Sequence, residues 1–586
     1  MAPFDHRKYA PGPVLAMPDR QWPDRTIEKA PIWASVDLRD GNQALLEPMG
    51  PAQKRRLWQL LVRLGLKQIE VGFPAASQPD FDFVRWLIDE DQIPAEVTIQ
   101  VLVQAREDLI HRTFEALAGA PRAIVHLYNS TSPVQRDWVF GSDREGVKAI
   151  AVQGARWVRL AAARYPETRW TFQYSPESFT ATEPDYALEV CEAVMDEWQP
   201  TPERPCIINL PATVEVASPN RFADQVEWFA THVSRRKALV LSVHTHNDRG
   251  GAVAAAELAL LAGADRVEGT LLGNGERTGN MDLVTLAMNL YSQGIDPGLD
   301  LSHPDEILAV VGQCTGIETH PRHPWVGELV YTAFSGSHQD AIRKSLKRQG
   351  PDAPWQVAYL PIDPRDLGRT YQEVVRVNSQ SGKGGVAFVM ERDGGLTLPR
   401  WLQVELAQVV QRESERRGGV IDGEGIERLF REHFVCDQAP HRLLGYRLSR
   451  NGHDRIEARI GGPAGEYTLI GDGQGAIAAF VAAWTGQTGQ AMAVLDYQEH
   501  AIGEGTDAEA AAYCLLSLDG TRVAGAAIDQ DVVGASLKAV LSALNRAVSM
   551  TASAAVPWVQ ARAALAFPPP ALPKREGYQP ISELHR

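Results

Sequence analysis

The sequence lacks the features that mark secreted, membrane-spanning and nucleic-acid-binding proteins. It contains only 5 cysteines in 586 residues, and no two are spaced as a CxxC unit, which excludes a disulfide framework or a CxxC metal site. It has no apolar run of about 18 residues and no apolar signal-peptide core at its N-terminus. Basic residues form no runs, and the formal net charge is −15, which argues against a nucleic-acid partner. We therefore expect a cytoplasmic protein with no nucleic-acid or membrane partner.

Length and composition instead indicate a globular protein of several domains. With 586 residues, of which 44% are hydrophobic, the chain can bury more than one core. The predicted divisions are an N-terminal arm (1–30), a barrel (31–319), a linker region (320–432), a C-terminal repeat domain (433–556) and a proline-rich tail (557–586) that we expect to be mobile.

The region from about residue 30 alternates short apolar runs with amphipathic stretches, which is typical of repeated βα units. Eight units in about 290 residues favour a (β/α)8 TIM barrel over an open doubly wound α/β sheet. Polar motifs follow seven of the strands, and the carboxyl ends of barrel strands are where active sites form. The predicted strands are Ile32–Asp37, Leu66–Gly72, Val97–Val103, Arg122–Leu127, Trp170–Tyr174, Cys206–Leu210, Leu239–His244 and Arg266–Leu271.

The C-terminal region contains a weak internal repeat. IEARIGGPAGEYTLIGDGQGAIAAFVAAW and AAYCLLSLDGTRVAGAAIDQDVVGASLKAVLSAL each read as strand, turn, strand and helix. Two such ββα units can share one core, so we predict an α+β domain after a mixed linker domain.

His244 and His246 flank Thr245 at the end of the seventh predicted strand. Side chains two apart on a strand share one face, so both imidazoles can meet one ion. Together with Asp40 and Asn280 they would complete a mixed nitrogen and oxygen site suited to Mg, Mn or Zn. The alternative is two structural histidines, because this spacing is short and common.

Three further motifs place reactive side chains at strand ends. Arg39 and Asp40 in DLRDGNQ could serve a metal and its ligand, or form a surface ion pair. Glu177 in QYSPES and Thr213 in LPATVE could enter the site, or cap the helices that follow. The glycines of GNGERTGN allow close approach of a ligand to the backbone, but the spacing is not that of a dinucleotide fingerprint.

Taken together, these motifs resemble the metal-dependent Claisen-condensing and lyase barrels, and within them the 2-isopropylmalate synthase family. The strings LYNSTS, QYSPESFT, LPATVE, HTHNDRG, GNGERTGN, FSGSHQDAI, LPIDPRDLGRTY and NSQSGKGGVAF follow DLRDGNQ in the order the family has them. The C-terminal region resembles the family's leucine-binding regulatory domain. The combination is specific, whereas each string alone is not.

The resemblance implies roles for individual residues. It implies that Arg39 stabilises charge on a keto oxygen and that Glu177 is an essential carboxylate. The linker residues His338 and Tyr371 would act over the barrel of the partner subunit in a domain-swapped homodimer. The implied metal ligands are Asp40, His244, His246 and Asn280, and the implied substrate-binding residues are His126, Ser175, Thr213, Asn274 and Gly275.

The implied reaction joins acetyl-CoA to 3-methyl-2-oxobutanoate and then hydrolyses the thioester. Removing a methyl proton requires a base, and the new alkoxide requires an electrophile. Histidine is suited to the first task at neutral pH, so His338 is expected as the base with help from Glu177, although the sequence does not order the two. Magnesium is the expected metal, with manganese or zinc as alternatives, and a monovalent cation is a candidate activator.

Several alternative functions stay open at this point. A homocitrate synthase would need a cation for a second carboxylate, and Arg106 is the only basic residue besides Arg39 that we find near the strand ends. A citramalate synthase, an acyl-CoA lyase and a non-catalytic metabolite sensor are the others. Leucine is a candidate effector, but Asp529 and Asp531 place charge at the expected effector turn, which predicts weak or altered inhibition.

Overall fold

The computed structural model describes residues 4–10, 12, 14–369, 383–417, 420–450, 452–503 and 508–554. These residues fall into two compact units, one within 1–332 and 360–373 and the other within 333–359 and 374–586. The predicted tail (557–586) and the candidate residue Tyr371 lie outside the described residues. The predicted domain boundaries stay predictions.

The first unit contains the predicted TIM barrel. Eight parallel strands pair in sequence order, and the first also pairs with the last, with Trp33 opposite Val267, so the barrel is closed. All eight predicted strands are confirmed. They are β1 (Ile32–Ser35), β2 (Gln68–Gly72), β3 (Thr98–Gln104), β4 (Arg122–Ser130), β5 (Arg169–Glu177), β6 (Cys206–Ala212), β7 (Leu239–Thr245) and β8 (Arg266–Gly269).

Helices surround the strands because most of them present an apolar stripe to the barrel and a polar face to solvent. Strands covered in this way become buried on both faces, and every residue of β6 is buried. The helices of this unit are α1 (Pro51–Arg63), α2 (Gln78–Asp89), α3 (Glu107–Leu117), α4 (Arg144–Ala162), α5 (Pro184–Trp198), α6 (Pro219–His232), α7 (Ala252–Leu261), α8 (Leu283–Tyr291) and α9 (Pro304–Thr315).

The N-terminal arm is held against α6 by two carboxylates that are almost fully buried. Arg20 donates two hydrogen bonds of 2.7 Å to Asp224, and the indole of Trp22 donates a third of 2.9 Å. The backbone N–H of Gln21 donates to Glu227 at 3.0 Å. These hydrogen bonds attach the arm to α6, and the arm belongs to the same compact unit as the barrel.

Among its described residues, the second unit begins with four helices and continues with two antiparallel sheets. The helices are α10 (Gly336–Leu346), α11 (Lys383–Gly394), α12 (Arg400–Arg417) and α13 (Gly423–Phe434). The sheets and their helices are β9 (Arg442–Arg450), β10 (Asp454–Gly462), β11 (Gly465–Gly473) and α14 (Ala476–Thr488), then β12 (Met492–Ile502), β13 (Glu509–Leu518), β14 (Thr521–Asp529) and α15 (Val532–Ala554).

The two sheet-and-helix repeats share one core, as the internal repeat predicts. Ile456 and Phe480 of the first repeat belong to the same buried cluster as Leu516 and Val540 of the second. Each repeat contains one strand more than predicted, β9 or β12, ahead of the predicted pair. Most residues of these two strands are exposed or half-buried, so neither strand carries the apolar pattern that predicts a buried strand. Among the described residues, no helix has the length and apolar character needed to cross a membrane.

Candidate metal centre and active site

The candidate metal ligands lie at the carboxyl ends of three neighbouring strands. After β1 the chain forms a π-helical turn, Asp37–Gly41, which contains Asp40. His244 lies near the end of β7, and His246 follows that strand directly. Asn280 follows β8, and its backbone pairs with that of His246. Because β7, β8 and β1 are consecutive around the barrel, these side chains meet at its mouth although they are far apart in sequence.

The ligand atoms of these four side chains converge. Nε2 of His244 lies 3.1 Å from Nε2 of His246 and 2.8 Å from Oδ1 of Asn280. Oδ2 of Asp40 lies 3.6 Å from Nε2 of His244 and 3.4 Å from Nε2 of His246. All four residues are buried. Two nitrogen and two oxygen ligands directed at one point form a set that Mg, Mn or Zn can use.

Two observations indicate that the cluster fits a divalent ion better than it fits a closed hydrogen-bond network. Oδ2 of Asp40 is buried, and no described residue donates a hydrogen bond to it. A carboxylate oxygen in this position is costly unless a cation contacts it. In addition, the Nε2 atoms of His244 and His246 face each other, and one proton at most can lie between them, whereas both lone pairs can contact a metal ion.

The charges around Asp40 keep its side chain ionised. Burial opposes ionisation, but the guanidinium of Arg39 and the adjacent histidines hold the pKa of Asp40 well below its usual range. Burial likewise lowers the pKa of His244, yet the carboxylates of Asp40 and Glu268 outweigh it and raise that pKa to about 9. For Nε2 of His244 to hold a metal ion, that nitrogen would have to be free of a proton.

A buried carboxylate orients His244 from inside the barrel. Nδ1 of His244 donates to Oε2 of Glu268 at 2.9 Å, which leaves the Nε2 lone pair directed at the ligand cluster. Arg266 donates to the other oxygen of Glu268 at 2.7 Å. Although burial opposes ionisation, Arg266 holds the pKa of Glu268 well below its usual range. Gln100 donates to Glu268 at 3.1 Å and to Glu70 at 2.5 Å, so it joins the two carboxylates.

The second buried carboxylate, Glu70, contacts two predicted site residues. It accepts a hydrogen bond from Arg39 through Oε1, and Nδ1 of His126 donates to Oε2 at 2.7 Å. Burial opposes ionisation of Glu70, but the charge of Arg39 lowers its pKa below the usual value. Nε2 of His126 in turn lies 2.7 Å from Oγ of Ser175. Glu70 therefore fixes both the guanidinium and the imidazole.

A cavity of about 170 Å³ lies at the mouth of the barrel and is lined by several of the predicted site residues. Leu102, Pro211 and Tyr128 contribute apolar surface to it, so one part of the cavity suits a small alkyl group. The predicted site residues that line the cavity are Arg39, Asp40, His126, Ser175, Glu177, Thr213, His244 and His246.

Glu177 and Thr213 lie at the mouth of the barrel, and neither caps a helix. Glu177 is the last residue of β5 and accepts a hydrogen bond of 2.5 Å from Oγ of Ser130. Thr213 follows β6, and its hydroxyl oxygen accepts the backbone N–H of Ser178 at 2.9 Å. The next helices, α5 and α6, begin farther along the chain, so the capping alternative is wrong for both residues.

The glycine-rich loop holds Asn280 in place. The side chain of Asn274 donates to the backbone carbonyl of Gly41 at 2.9 Å, and Asn280 donates to the carbonyl of Asn274 at 3.0 Å. A Cβ atom on Gly275 would lie 2.2 Å from Nδ2 of Asn280. Gly275 is therefore required for the metal-ligand geometry itself, besides any contact with a substrate.

The two site residues predicted in the linker region are His338 and Tyr371. His338 lies in α10 of the second unit, where its ring stacks on Tyr359 with the centroids 4.0 Å apart. Tyr371 lies outside the described residues. Their expected roles stay predictions.

The sequence analysis missed Arg277, which also lines the cavity. Nη2 of Arg277 lies 2.5 Å from Nδ1 of His246, and Nε lies 2.6 Å from Oδ1 of Asp248. Arg106, by contrast, is exposed at the start of α3 and pairs with Asp108. The cavity thus has a second guanidinium, but a carboxylate of the protein already neutralises it.

Comparison with known proteins assigns the three parts of the chain to families. Residues 30–311 match the HMGL-like family, residues 328–391 match the post-catalytic domain-like family of alpha-isopropylmalate synthase, and residues 421–548 match the LeuA allosteric (dimerisation) domain.

Several proteins named 2-isopropylmalate synthase match this chain over almost its whole length. The chain is 55% identical to the 2-isopropylmalate synthase of Pseudomonas fluorescens (strain Pf0-1), covering 92% of this chain and 97% of that protein. It is 54% identical to the 2-isopropylmalate synthase of Azotobacter vinelandii, covering 93% and 98%. A solved hydroxymethylglutaryl-CoA lyase from Pseudomonas aeruginosa has 20% identity and a TM-score of 0.41, covering 50% of this chain and 95% of that one.

Proposed function

The chain belongs to the 2-isopropylmalate synthase family, and on this premise we propose that it condenses acetyl-CoA with 3-methyl-2-oxobutanoate and water to give 2-isopropylmalate and CoA. The observation that carries the proposal is the convergence of Asp40, His244, His246 and Asn280, the first three of which line one cavity together with Arg39. A cation and a guanidinium on the same side of a bound 2-oxo acid supply the electrophile that a condensation needs.

The protein's own residues account for the binding of the oxo acid. We assign the four converging side chains as the metal ligands and magnesium as the metal, with manganese or zinc as alternatives. When bound, the ion would polarise the keto group and raise its electrophilicity. Arg39, fixed by Glu70, stabilises the charge that develops on the keto oxygen as the carbon–carbon bond forms.

An alkyl-bearing oxo acid fits the cavity better than a dicarboxylate. Leu102, Tyr128 and Pro211 line it, and Arg277 is already paired with Asp248 at 2.6 Å. A second substrate carboxylate would therefore find no unengaged guanidinium among the described lining residues. This favours 3-methyl-2-oxobutanoate over the substrate of a homocitrate synthase.

The methyl proton of acetyl-CoA requires a base, and we assign His338 with assistance from Glu177. Supporting this assignment, histidine is the side chain that most often acts as a general base in enzymes, and Glu177 lines the cavity. His338→Ala should abolish exchange of the acetyl-CoA methyl protons with deuterated solvent, whereas Glu177→Gln should only slow it. Full exchange in the His338→Ala variant would transfer the role of base to Glu177.

Regulation by leucine and dimerisation are the further parts of the proposal, supported by the match of residues 421–548 to the LeuA allosteric (dimerisation) domain. The two aspartates at the expected effector turn are already engaged, since Asp529 contacts Lys538 and Asp531 accepts the Tyr446 hydroxyl at 2.5 Å. Because this turn carries two carboxylates, we expect weak or altered inhibition, which a leucine titration of the activity measures. All five cysteines are free thiols, which supports a reducing, cytoplasmic location.

The test of the function is release of free thiol from acetyl-CoA with a panel of 2-oxo acids. We expect 3-methyl-2-oxobutanoate to give the highest kcat/KM and pyruvate and 2-oxoglutarate to give little. Activity with 2-oxoglutarate and silence with 3-methyl-2-oxobutanoate would reject the proposed substrate. Arg106→Ala, which changes an exposed guanidinium outside the cavity lining, is the control and should leave the preference unchanged.

A further inference from the structure

A second, smaller cavity lies next to the candidate metal ligand His246. Its volume is about 10 Å³, which is roughly the space of one water-sized sphere. Glu215, Thr180 and Thr245 contribute to its lining. Among the described residues, only His246 lines both this cavity and the larger one at the mouth of the barrel. The small cavity is therefore distinct from the one that the proposed oxo acid would occupy.

The carboxylate of Glu215 has one oxygen that is engaged and one that is not. Glu215 is 7% exposed, and its Oε2 accepts the backbone N–H groups of Arg249 at 2.6 Å and Gly251 at 3.3 Å. Oε1 is buried, and no residue that the structure describes donates a hydrogen bond to it. The guanidinium of Arg277 pairs with Asp248 at 2.6 Å instead. A buried carboxylate oxygen of this kind is costly unless a donor or a cation contacts it.

The hydroxyl groups in the lining of the small cavity can only accept hydrogen bonds there. Thr180, Thr245 and Ser218 line it, and each donates its hydroxyl hydrogen to an oxygen of another residue, at 3.0, 2.9 and 2.6 Å respectively. A hydroxyl has one hydrogen, so only lone pairs remain. A water molecule would find no donor among these hydroxyls for its own lone pairs, whereas a cation is held by oxygen lone pairs alone.

We infer that Glu215 holds one monovalent cation in this cavity, with the hydroxyl oxygens of Thr180 and Thr245 as further ligands. A single carboxylate supplies one negative charge. The space of one sphere leaves no room for the water molecules that Mg²⁺ keeps when it binds to protein. K⁺, which is close to water in size, meets both conditions and is the probe for this site.

The cation would act on the segment that follows the candidate metal ligand. Through Oε2, Glu215 holds the backbone N–H groups of Arg249 and Gly251, and its own backbone N–H donates to Asp248 at 2.9 Å. These residues connect His246 to α7. An ion on Oε1 fixes the carboxylate and thereby stabilises this loop without contacting a substrate.

The test is thermal unfolding of the full chain in KCl and in tetramethylammonium chloride of equal concentration, since tetramethylammonium is too large for the cavity. K⁺ should raise the midpoint of the wild type by about 2 °C over tetramethylammonium, and it should not do so in Glu215→Gln. Glu192→Gln is the matched control because that carboxylate also accepts a backbone N–H, from Ser234 at 2.6 Å, outside the cavity lining. It should respond to K⁺ as the wild type does.

Binding is counted with Tl⁺, which substitutes for K⁺ and is observed by thallium NMR. The wild type should bind one Tl⁺ that K⁺ displaces and that Glu215→Gln does not bind. An equal response to K⁺ in the wild type and Glu215→Gln, or no response in either, would overturn the inference and assign the cavity to water. If Glu215→Gln does not fold, Thr180→Val retains the charge and removes one oxygen, and an undiminished response to K⁺ in that variant would equally contradict the site. No substrate enters the test, so its outcome is independent of the proposed condensation.

Discussion

At the scale of single residues, two buried carboxylates beneath the cavity orient different side chains of the site. Glu268 contacts the metal-ligand candidate His244, whereas Glu70 contacts Arg39 and His126. Gln100 donates to both carboxylates. The site is therefore built on a polar layer inside the barrel, where apolar side chains are the usual filling.

Replacing Glu268 with glutamine is expected to weaken metal binding about 10- to 100-fold. The amide retains the shape but removes the charge that holds the Nδ1 proton of His244 and compensates Arg266. Calorimetric titration with Mn²⁺ measures the affinity. Glu197→Gln removes a surface carboxylate paired with Arg159 at 2.7 Å and should leave it unchanged; equal weakening in both variants would contradict the role of Glu268.

The ion pair of Glu183 makes the free energy of unfolding of the barrel depend on pH. Hydrogen bonds of 2.7 and 2.9 Å from Arg136 lower its pKa from 4.5 to about 2. Because the folded pKa is the lower one, the stabilisation is present above pH 4.5 and is lost as the pH falls towards 2. Glu183→Gln should lower the free energy of unfolding by about 1 kcal/mol at neutral pH, allowing for partial exposure.

Urea titrations of the wild type and Glu183→Gln at neutral and at acid pH test this prediction. The difference between the two proteins should shrink on acidification, since protonation of Glu183 removes the charge that the variant lacks. A difference that grows as the pH falls would mean that Arg136 does not stabilise the ionised form.

The sequence could predict the ligands because they lie in motifs at strand ends. It could not reveal Glu70 or Glu268, since a single carboxylate within the apolar strands QIEVG and RVEG looks like an outward-facing residue. Only the closed barrel shows that both side chains point inward towards compensating guanidiniums. Arg277 was missed because its contact with His246 depends on the fold of the glycine-rich loop.

At the scale of elements, the alternation of strands and helices was predictable, but the strand ends were not. β4 and β5 extend beyond their predicted ends. They remain paired with each other as far as the cavity, where Ser130 lies opposite Glu177. The motif residues that look like loop are thus held in extended backbone. This pairing gives Glu177 a fixed position at the mouth of the barrel.

The N-terminal arm is expected to stabilise the barrel through its ion pair with α6. Arg20→Ala leaves the buried carboxylate of Asp224 with Trp22 as its remaining side-chain donor, so this variant should lose more stability than one in which an exposed ion pair is broken. Arg63→Ala, whose partner Glu306 is about half exposed, should cost less than about 1 kcal/mol. Urea denaturation compares the two, and equal losses would contradict a structural role for the arm.

At the scale of the whole molecule, the proposed site residues belong to two different units. The metal-ligand candidates and Arg39 belong to the first unit, whereas the proposed base His338 belongs to the second. The family resemblance predicted that a residue of the linker region takes part in catalysis. The pattern of apolar residues in that region could not have predicted it. We therefore expect the first unit to bind metal and oxo acid, and catalysis to need the complete chain.

The most direct measurement of the central claim is product formation by chelator-treated protein after a divalent ion is restored. With acetyl-CoA and 3-methyl-2-oxobutanoate, the wild type should form 2-isopropylmalate only after Mg²⁺ or Mn²⁺ is added, and His244→Ala should form none at any metal concentration. Product formation by the His244→Ala variant, or by the wild type in excess chelator, would contradict the assignment of this cluster as the metal centre of a condensing enzyme.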